Sequence, residues 1–220
     1  MKVMEMFMLA AVNTKTRGLY YGSYLSYGLS GIAIVELIRQ GRLALEDEKL
    51  IVKDASTTRD DLLDEVLQVI DAKPAPHKLN SWITLLSYKV KKLNIRVMEK
   101  LEDNGILRIE QGRFLILFPS RKYVVTNESE RNKIVNACRE TLLKGDKAPE
   151  PEIMLIISIA TASYFINKFF TKEECKDLKK TFKQLRKGTY FETESDAMRQ
   201  VVVAIQRAIA ATQAAMTAAT

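Results

Sequence analysis

Residues 28–52, GLSGIAIVELIRQGRLALEDEKLIV, hold the pattern that most restricts how this chain folds. The spacing predicts a helix over 31–40, with Ile32, Val35, Leu37 and Ile38 building one buried face. Gly41 follows, where a helix C-terminus favours a left-handed residue. Leu43, Leu45, Leu50 and Val52 then alternate with polar residues about Glu46, Asp47 and Glu48, as a half-buried hairpin requires. The unit recurs over 96–116, RVMEKLEDNGILRIEQGRFLI, with Gly105 in the place of Gly41 and Glu110 in the place of Glu46. This second hairpin is expected over 106–118, turning at Gln111 and Gly112.

Two helix–hairpin units raise the winged-helix reading. A nucleic-acid reader needs cations on its groove helix and wing. The tips here carry Glu46, Asp47, Glu48 and Glu110 instead, so no nucleic acid is expected. A net charge of +7 and an isoelectric point near 9.3 still favour anionic partners such as acidic membrane surfaces. The bland alternative is an ordinary solvated basic surface.

The rest of the chain reads as helices. One is expected over 5–12. A polar loop follows, then four crowded tyrosines, Tyr20, Tyr21, Tyr24 and Tyr27, which suit either packing with wet hydroxyls or one wall of a ligand pocket. Thr57 or Thr58 caps the next helix, which runs to Ile70, where a proline pair at Pro74 and Pro76 breaks the pattern. Asn80 or Ser81 opens a helix anchored by Trp82, the only tryptophan. Residues 87–102 read as one basic amphipathic helix carrying Lys89, Lys91, Lys92, Arg96 and Lys100, fit for a membrane surface or phosphates, or simply for solvent.

Asn127 leads into a helix ending near Gly145, and an apolar helix is expected over 152–170. Thr171 and Glu174 form a capping-box signature for a helix reaching Lys187 before Gly188. A last helix starts at Ser195 or Asp196, with an Ala-rich end that frays. The longest apolar run, 153–166, is shorter than a membrane span, and the N-terminus lacks a signal-peptide pattern. The fold expected is mainly α: one compact domain over 1–207 with a central helix bundle, surrounding amphipathic helices and two hairpins, and an Ala-rich tail over 208–220. Cys138 and Cys175 lack metal-ligand company, and His77 lies in a loop, so no cofactor is expected. With no P-loop, GxGxxG, HExxH or nucleophile setting, the chain reads as a binding module rather than an enzyme.

From about Glu5 to Ala204 the chain resembles the Golgi phosphoprotein 3 domain family. The resemblance is carried by the order and spacing of Glu5-Met6-Phe7-Met8-Leu9, Gly28-Leu29-Ser30-Gly31, Gly41-Arg42-Leu43, Asp61-Leu62-Leu63-Asp64-Glu65, Trp82-Ile83-Thr84-Leu85-Leu86-Ser87, Asn104-Gly105-Ile106-Leu107 and Ile159-Ala160-Thr161-Ala162-Ser163. It implies a non-enzymatic peripheral membrane adaptor that recognises phosphatidylinositol 4-phosphate, meets membrane-protein tails and self-associates through the second hairpin. It also implies a cytoplasmic protein, on the Golgi in a eukaryote.

The family's headgroup site uses a tryptophan and three arginines. By alignment these fall on Tyr21 (with Tyr20 and Tyr24 as alternatives), Ser30, Lys91 and Asn94. One aromatic and one cation remain. Each lost charge-assisted contact weakens phosphate binding by about 1.5–3 kcal/mol, so losing two is expected to reduce affinity by at least about two orders of magnitude unless Lys92, Arg96 or Arg17 substitutes. The acidic first hairpin and the start four residues before the domain, without the family's basic N-terminal arm, suit either a divergent relative of prokaryotic type or a sequence from which that arm has been left off. A protein-interaction scaffold without lipid binding is the alternative.

Overall fold

The computed structural model describes residues 1–73, 77–90, 92–114 and 118–218, the side chains of 113, 114, 118 and 119 excepted. Its helices are α1 (Val3–Ala10), α2 (Gly22–Arg39), α3 (Asp61–Asp71), α4 (Leu79–Lys89), α5 (Leu93–Asp103), α6 (Glu128–Lys144), α7 (Pro151–Ala162), α8 (Lys172–Asp177), α9 (Lys179–Arg186) and α10 (Asp196–Ala218). Three two-stranded antiparallel sheets join them: β1 (Val12–Asn13) with β2 (Gly18–Leu19), β3 (Leu43–Glu46) with β4 (Lys49–Val52), and β5 (Leu107–Phe114) with β6 (Phe118–Val125). The mainly helical single core expected from the pattern is present. The polar loop after α1 is itself a miniature hairpin, a third beside the two expected.

The bundle is organised on α2, which packs against α1, α3, α4, α5, α7 and α10. It begins at Gly22, nine residues before the start expected at 31, and it is buried all round over 27–35 rather than on one face. Burial of Leu25, Leu29 and Ile32 outweighs the poor helix propensity of the Gly, Ser and Tyr residues in its first turns. Two glycines set how closely its neighbours approach. A Cβ at Gly28 would lie 2.7 Å from both Phe7 Cζ and Ser163 Oγ, and one at Gly31 would lie 3.0 Å from Val201 Cγ1. The Gly-Leu-Ser-Gly motif is thus where α1 and α7 on one side, and α10 on the other, touch the α2 backbone.

Several boundaries differ from the sequence expectation, each for a local reason. Asp60, not Thr57 or Thr58, caps α3, its carboxylate accepting from the Leu62 and Leu63 amides at 3.0 and 3.4 Å. The basic stretch is two helices: α4 stops at Lys89, and Lys92 enters the left-handed region (φ 55°) before α5. The apolar helix stops at Ala162, with Tyr164 left-handed (φ 66°) before a 3-10 turn over Ile166–Phe169. The helix after the capping box of Thr171 and Glu174 breaks at Leu178 into α8 and α9.

The second hairpin does not turn at Gln111 and Gly112. Gly112 has no positive φ and lies in the strand opposite Ser120, while Gln111 pairs with Arg121, so the ribbon runs on to Phe114 and returns from Phe118. The connection, 115–117, falls outside the described residues, as do Pro74 and Pro76 of the expected helix break. In the first hairpin, Glu46 faces Lys49 across a two-residue loop, Asp47 and Glu48 both having positive φ (48° and 60°). Such a type I′ turn matches the strand twist, although Asn-Gly is its preferred sequence. The tip does not stand free: the Leu79 amide donates to the Glu48 carbonyl at 3.0 Å, and Lys49 bridges Lys78.

Trp82 is a core anchor, 1% exposed. Among the described residues, α10 is the one helix long and apolar enough to cross a membrane by length and composition, and it is longer than the apolar run singled out in the sequence. Its Met198, Val201, Val202, Ile205 and Ile209 are buried, and it packs against α2, α4 and α7. Beyond Ile209 it stays helical to Ala218, with Thr212 hydrogen bonded to the Tyr27 hydroxyl at 2.9 Å and Gln213 Nε2 donating to the Tyr24 hydroxyl at 2.7 Å.

Candidate functional site

The tyrosine-rich entry to α2 forms the most distinctive surface feature. Tyr21 caps the helix with φ 46° and ψ 46°, a left-handed conformation that costs a bulky residue energy and that clusters at functional positions. Its ring, 43% of the residue exposed, stacks on Tyr24 with centroids 6.4 Å apart. Tyr24 in turn lies 6.0 Å from Tyr164, the other left-handed tyrosine, and Lys168 places its ammonium 5.5 Å from the Tyr21 ring centroid. Three rings and a cation therefore share one patch, within cation–π reach. Tyr24 is held at its hydroxyl by Gln213, and Tyr21 and Tyr164 are the more exposed rings.

Ser30, aligned with the same headgroup site, lies elsewhere. Ser30 is fully buried on α2, its hydroxyl donating to the Ser26 carbonyl at 2.8 Å. It is nine residues from Tyr21, about 13 Å along the helix axis at 1.5 Å per residue. Asn94 sits half-buried in the first turn of α5. Lys91 lies outside the described residues. Ser30 and Tyr21 therefore do not share a surface.

The cations available to replace the missing arginines are mostly engaged. Arg96 pairs with Glu65 and lies 3.7 Å from Asp61; Lys100 pairs with Asp61 and lies 3.8 Å from Asp60. The Lys100 hydrogen bond, against some burial and with help from the Lys100 and Arg96 charges, holds the Asp61 carboxyl below the ordinary aspartate range. Arg17 lies 3.4 Å from Glu110. Lys92 is exposed and has no ion pair among the described residues. The acidic start of α3 thus occupies the charge that made the 87–102 stretch look like a phosphate-binding face.

Lys168 was not visible as a candidate in the sequence. It lies on the 3-10 turn after α7, remote from Tyr21 in the chain, and only the fold brings the two together. A partial signal existed in the crowding of Tyr20, Tyr21, Tyr24 and Tyr27. Burial pushes the Cys138 thiol up to about 12, and burial together with Glu174 raises that of Cys175, neither shift favouring a thiolate. His77 packs edge-on to Trp82 at 5.4 Å.

Comparison with known proteins agrees with the fold. The family model of Golgi phosphoprotein 3 (GPP34) matches residues 3–205. Vacuolar protein sorting-associated protein 74 of Schizosaccharomyces pombe is 25% identical over 196 residues, covering 75% of this chain and 58% of the relative. The chain thus spans somewhat over half the length of that curated relative. Bundle, hairpins and residue pattern lead to one identification: the chain belongs to the Golgi phosphoprotein 3 (GPP34) family.

Proposed function

We propose that this chain is a non-enzymatic, peripheral membrane-binding module that acts in protein sorting, the process with which the name of its fission-yeast relative associates that protein. It meets an anionic lipid surface through Tyr21, Tyr24, Tyr164 and Lys168. The observation that carries this reading is the exposed tyrosine pair held in left-handed conformations, with Lys168 over the Tyr21 ring. Tyrosines sit well where one ring edge is apolar and the other wet, and a lysine near an anionic surface contributes about 1 kcal/mol.

The family resemblance aligns a site for the phosphatidylinositol 4-phosphate headgroup with Tyr21, Ser30, Lys91 and Asn94. Burial of Ser30 and the pairing of Arg96 and Lys100 favour a weakened, charge-driven contact over a stereospecific one. Self-association uses the second hairpin, whose strands extend over 107–114 and 118–125.

Vesicle flotation at low salt tests this with phosphatidylcholine alone, with added phosphatidylserine, and with added phosphatidylinositol 4-phosphate. Binding is expected to the anionic vesicles only, falling by about tenfold or more for Lys168→Glu, as reversal of one interfacial charge implies. No binding to any anionic vesicle overturns the membrane reading. Unchanged binding of Lys91→Glu to the phosphoinositide vesicles overturns the headgroup placement alone.

A further inference from the structure

The positive charge of this chain is concentrated in one short stretch. Residues 168–187 hold eight lysines and arginines against three carboxylates, a net of +5 in a chain whose total is +7. All eight cations are exposed, and none takes part in an ion pair among the described residues. Glu174 is taken up by Arg139, which donates to it from both Nη atoms at 3.0 and 2.7 Å, and by the capping box with Thr171. Glu173 and Asp177 are the other acids, both on α8, and α9 carries none.

The fold turns these charges into a ridge. Leu178, Phe182 and Leu185 are buried. Helical spacing then puts Lys179, Lys180, Lys183 and Lys187 on the opposite half of α9 and its cap. Two features of this arrangement cost stability in solution. Lys179 and Lys180 open α9, where the helix dipole is positive and an acid is favoured. Lys179, Lys183 and Lys187 also follow one another at four-residue spacing, at which like charges repel. Elsewhere in the chain such neighbours are of opposite sign: Arg39 pairs with Glu36, Lys133 with Glu130 and Lys144 with Glu140. A face that serves solubility alone intersperses its signs. An unmixed cationic face, strained by its own charge, is relieved by an opposing layer of negative charge.

The ridge is continuous with the tyrosine patch. Lys168, its first cation, lies 5.5 Å from the Tyr21 ring centroid. Tyr164 and Arg186 line one groove, together with Asn167, Cys175 and Phe182. A membrane offers both halves of this surface a partner, anionic headgroups for the lysines and the acyl boundary for the tyrosine rings. A nucleic acid offers only the charge. With its apolar residues buried, α9 meets such a surface by charge and does not enter the hydrocarbon.

We propose that α8 and α9 form a second docking surface, for an anionic membrane, which reads charge density rather than one headgroup and turns the tyrosine patch towards the lipid. This surface presupposes the membrane role given above and adds a face outside the residues aligned with the headgroup site.

Partitioning of the full chain onto sedimented vesicles tests it, with phosphatidylcholine carrying either phosphatidylserine or phosphatidylinositol 4-phosphate at matched total charge. Each cation held at an anionic surface raises partitioning about fivefold. Lys179→Gln combined with Lys183→Gln is therefore expected to lower it about thirtyfold on both compositions and to flatten its dependence on salt. Lys49→Gln combined with Lys53→Gln removes the same charge from the first hairpin, at the other end of α2. It is expected to change partitioning by less than about threefold, since charges beyond a Debye length are screened. Melting temperatures equal to the parent's exclude misfolding in both pairs. Tyr21→Ala is expected to weaken binding and to leave the salt dependence as it is.

Weakening by Tyr21→Ala with no change in the Lys179 and Lys183 double variant overturns the ridge and leaves the membrane reading standing. An equal loss in the two double variants overturns it too, because net charge alone then accounts for the binding. A loss confined to the phosphatidylinositol 4-phosphate vesicles overturns it in favour of a single-headgroup site. Tighter binding to a random DNA duplex than to the vesicles, lost with Lys179 and Lys183, overturns the lipid partner in favour of nucleic acid. Absence of binding to every anionic vesicle overturns the ridge and the membrane reading together.

Discussion

Lys2 Nζ lies 2.7 Å from Asp60 Oδ2 across a separation of 58 residues, tying the start of α1 to the cap of α3. The other carboxylate oxygen of Asp60 receives the Leu62 and Leu63 amides. Burial pushes the Asp60 carboxyl up, but the Lys2 hydrogen bond, the Leu62 amide and the charges of Lys2 and Lys100 together hold it below the ordinary aspartate range.

Asp60→Ala is therefore expected to cost about 1–2 kcal/mol from the lost cap, and Asp60→Asn less, since its carbonyl still accepts an amide. A depressed folded-state pKa gives stability that is present above the ordinary aspartate value and lost as pH falls through the lowered one. Urea denaturation should show a wide gap between wild type and Asp60→Ala at neutral pH that narrows in acid. A gap independent of pH would show that the cap geometry acts without the charge.

Glu194 behaves in the opposite sense. It is 4% exposed, accepts from Ser158 Oγ at 3.0 Å, and is pushed above the ordinary glutamate range by burial, against the Ser158 bond and the Arg199 charge. A raised carboxyl favours the protonated fold. Its contribution is fully present below the ordinary glutamate pKa and is lost as pH rises through the raised value. Glu194→Gln should raise the melting temperature at neutral pH, with the advantage shrinking towards acid. Calorimetric scans across that range measure it.

The first hairpin turns through Asp47 and Glu48, both with positive φ. Replacing them by Asn and Gly supplies the residues a type I′ turn prefers. Relief of the left-handed strain is worth about 1–2 kcal/mol per residue at most and is offset by about 0.5–1 kcal/mol of glycine entropy. A net gain of up to about 1 kcal/mol is expected in chemical denaturation. A loss would mean that the Glu48 side chain has a structural role beyond the turn.

Gly28→Ala brings a methyl to 2.7 Å from Phe7 Cζ and Ser163 Oγ, with Phe7 itself fully buried. Overpacking of this kind costs about 1–3 kcal/mol, against about 1 kcal/mol gained in helix propensity. Phe7→Leu should cost less in the Gly28→Ala background than in wild type, because it frees the space the methyl needs. A double-mutant cycle measures that coupling, and additive effects would contradict the contact.

Punctuation was legible in the sequence because it is local. Gly41, Gly105, Gly145 and Gly188 all have positive φ at the helix ends where glycine was expected, and the Thr171–Glu174 capping box forms as its spacing implies. What stayed hidden depends on tertiary context. Nothing local in Gly22, Ser23 and Tyr24 predicts helix; burial of the following turns against six other helices imposes it. The break at Lys92 interrupts an unbroken amphipathic pattern, and the strand continuing through Gly112 contradicts a plausible turn dipeptide. For the site, the crowded tyrosines were visible, but Lys168 was not. The engagement of Arg96 and Lys100 depends on α3 lying beside α5, which spacing along the chain does not encode.

The contact of Gly31 with Val201 also sets a schedule for synthesis. The side of α2 that α10 covers receives its partner only when residues near 200 have been made, some 170 residues after Gly31. At roughly 5–20 residues per second that interval is on the order of ten to thirty seconds, during which an apolar helix of the nascent chain lacks its final cover. A ribosome stalled before α10 should accordingly hold a chain that chaperones retain and proteases cut within α2, and release of α10 should end both.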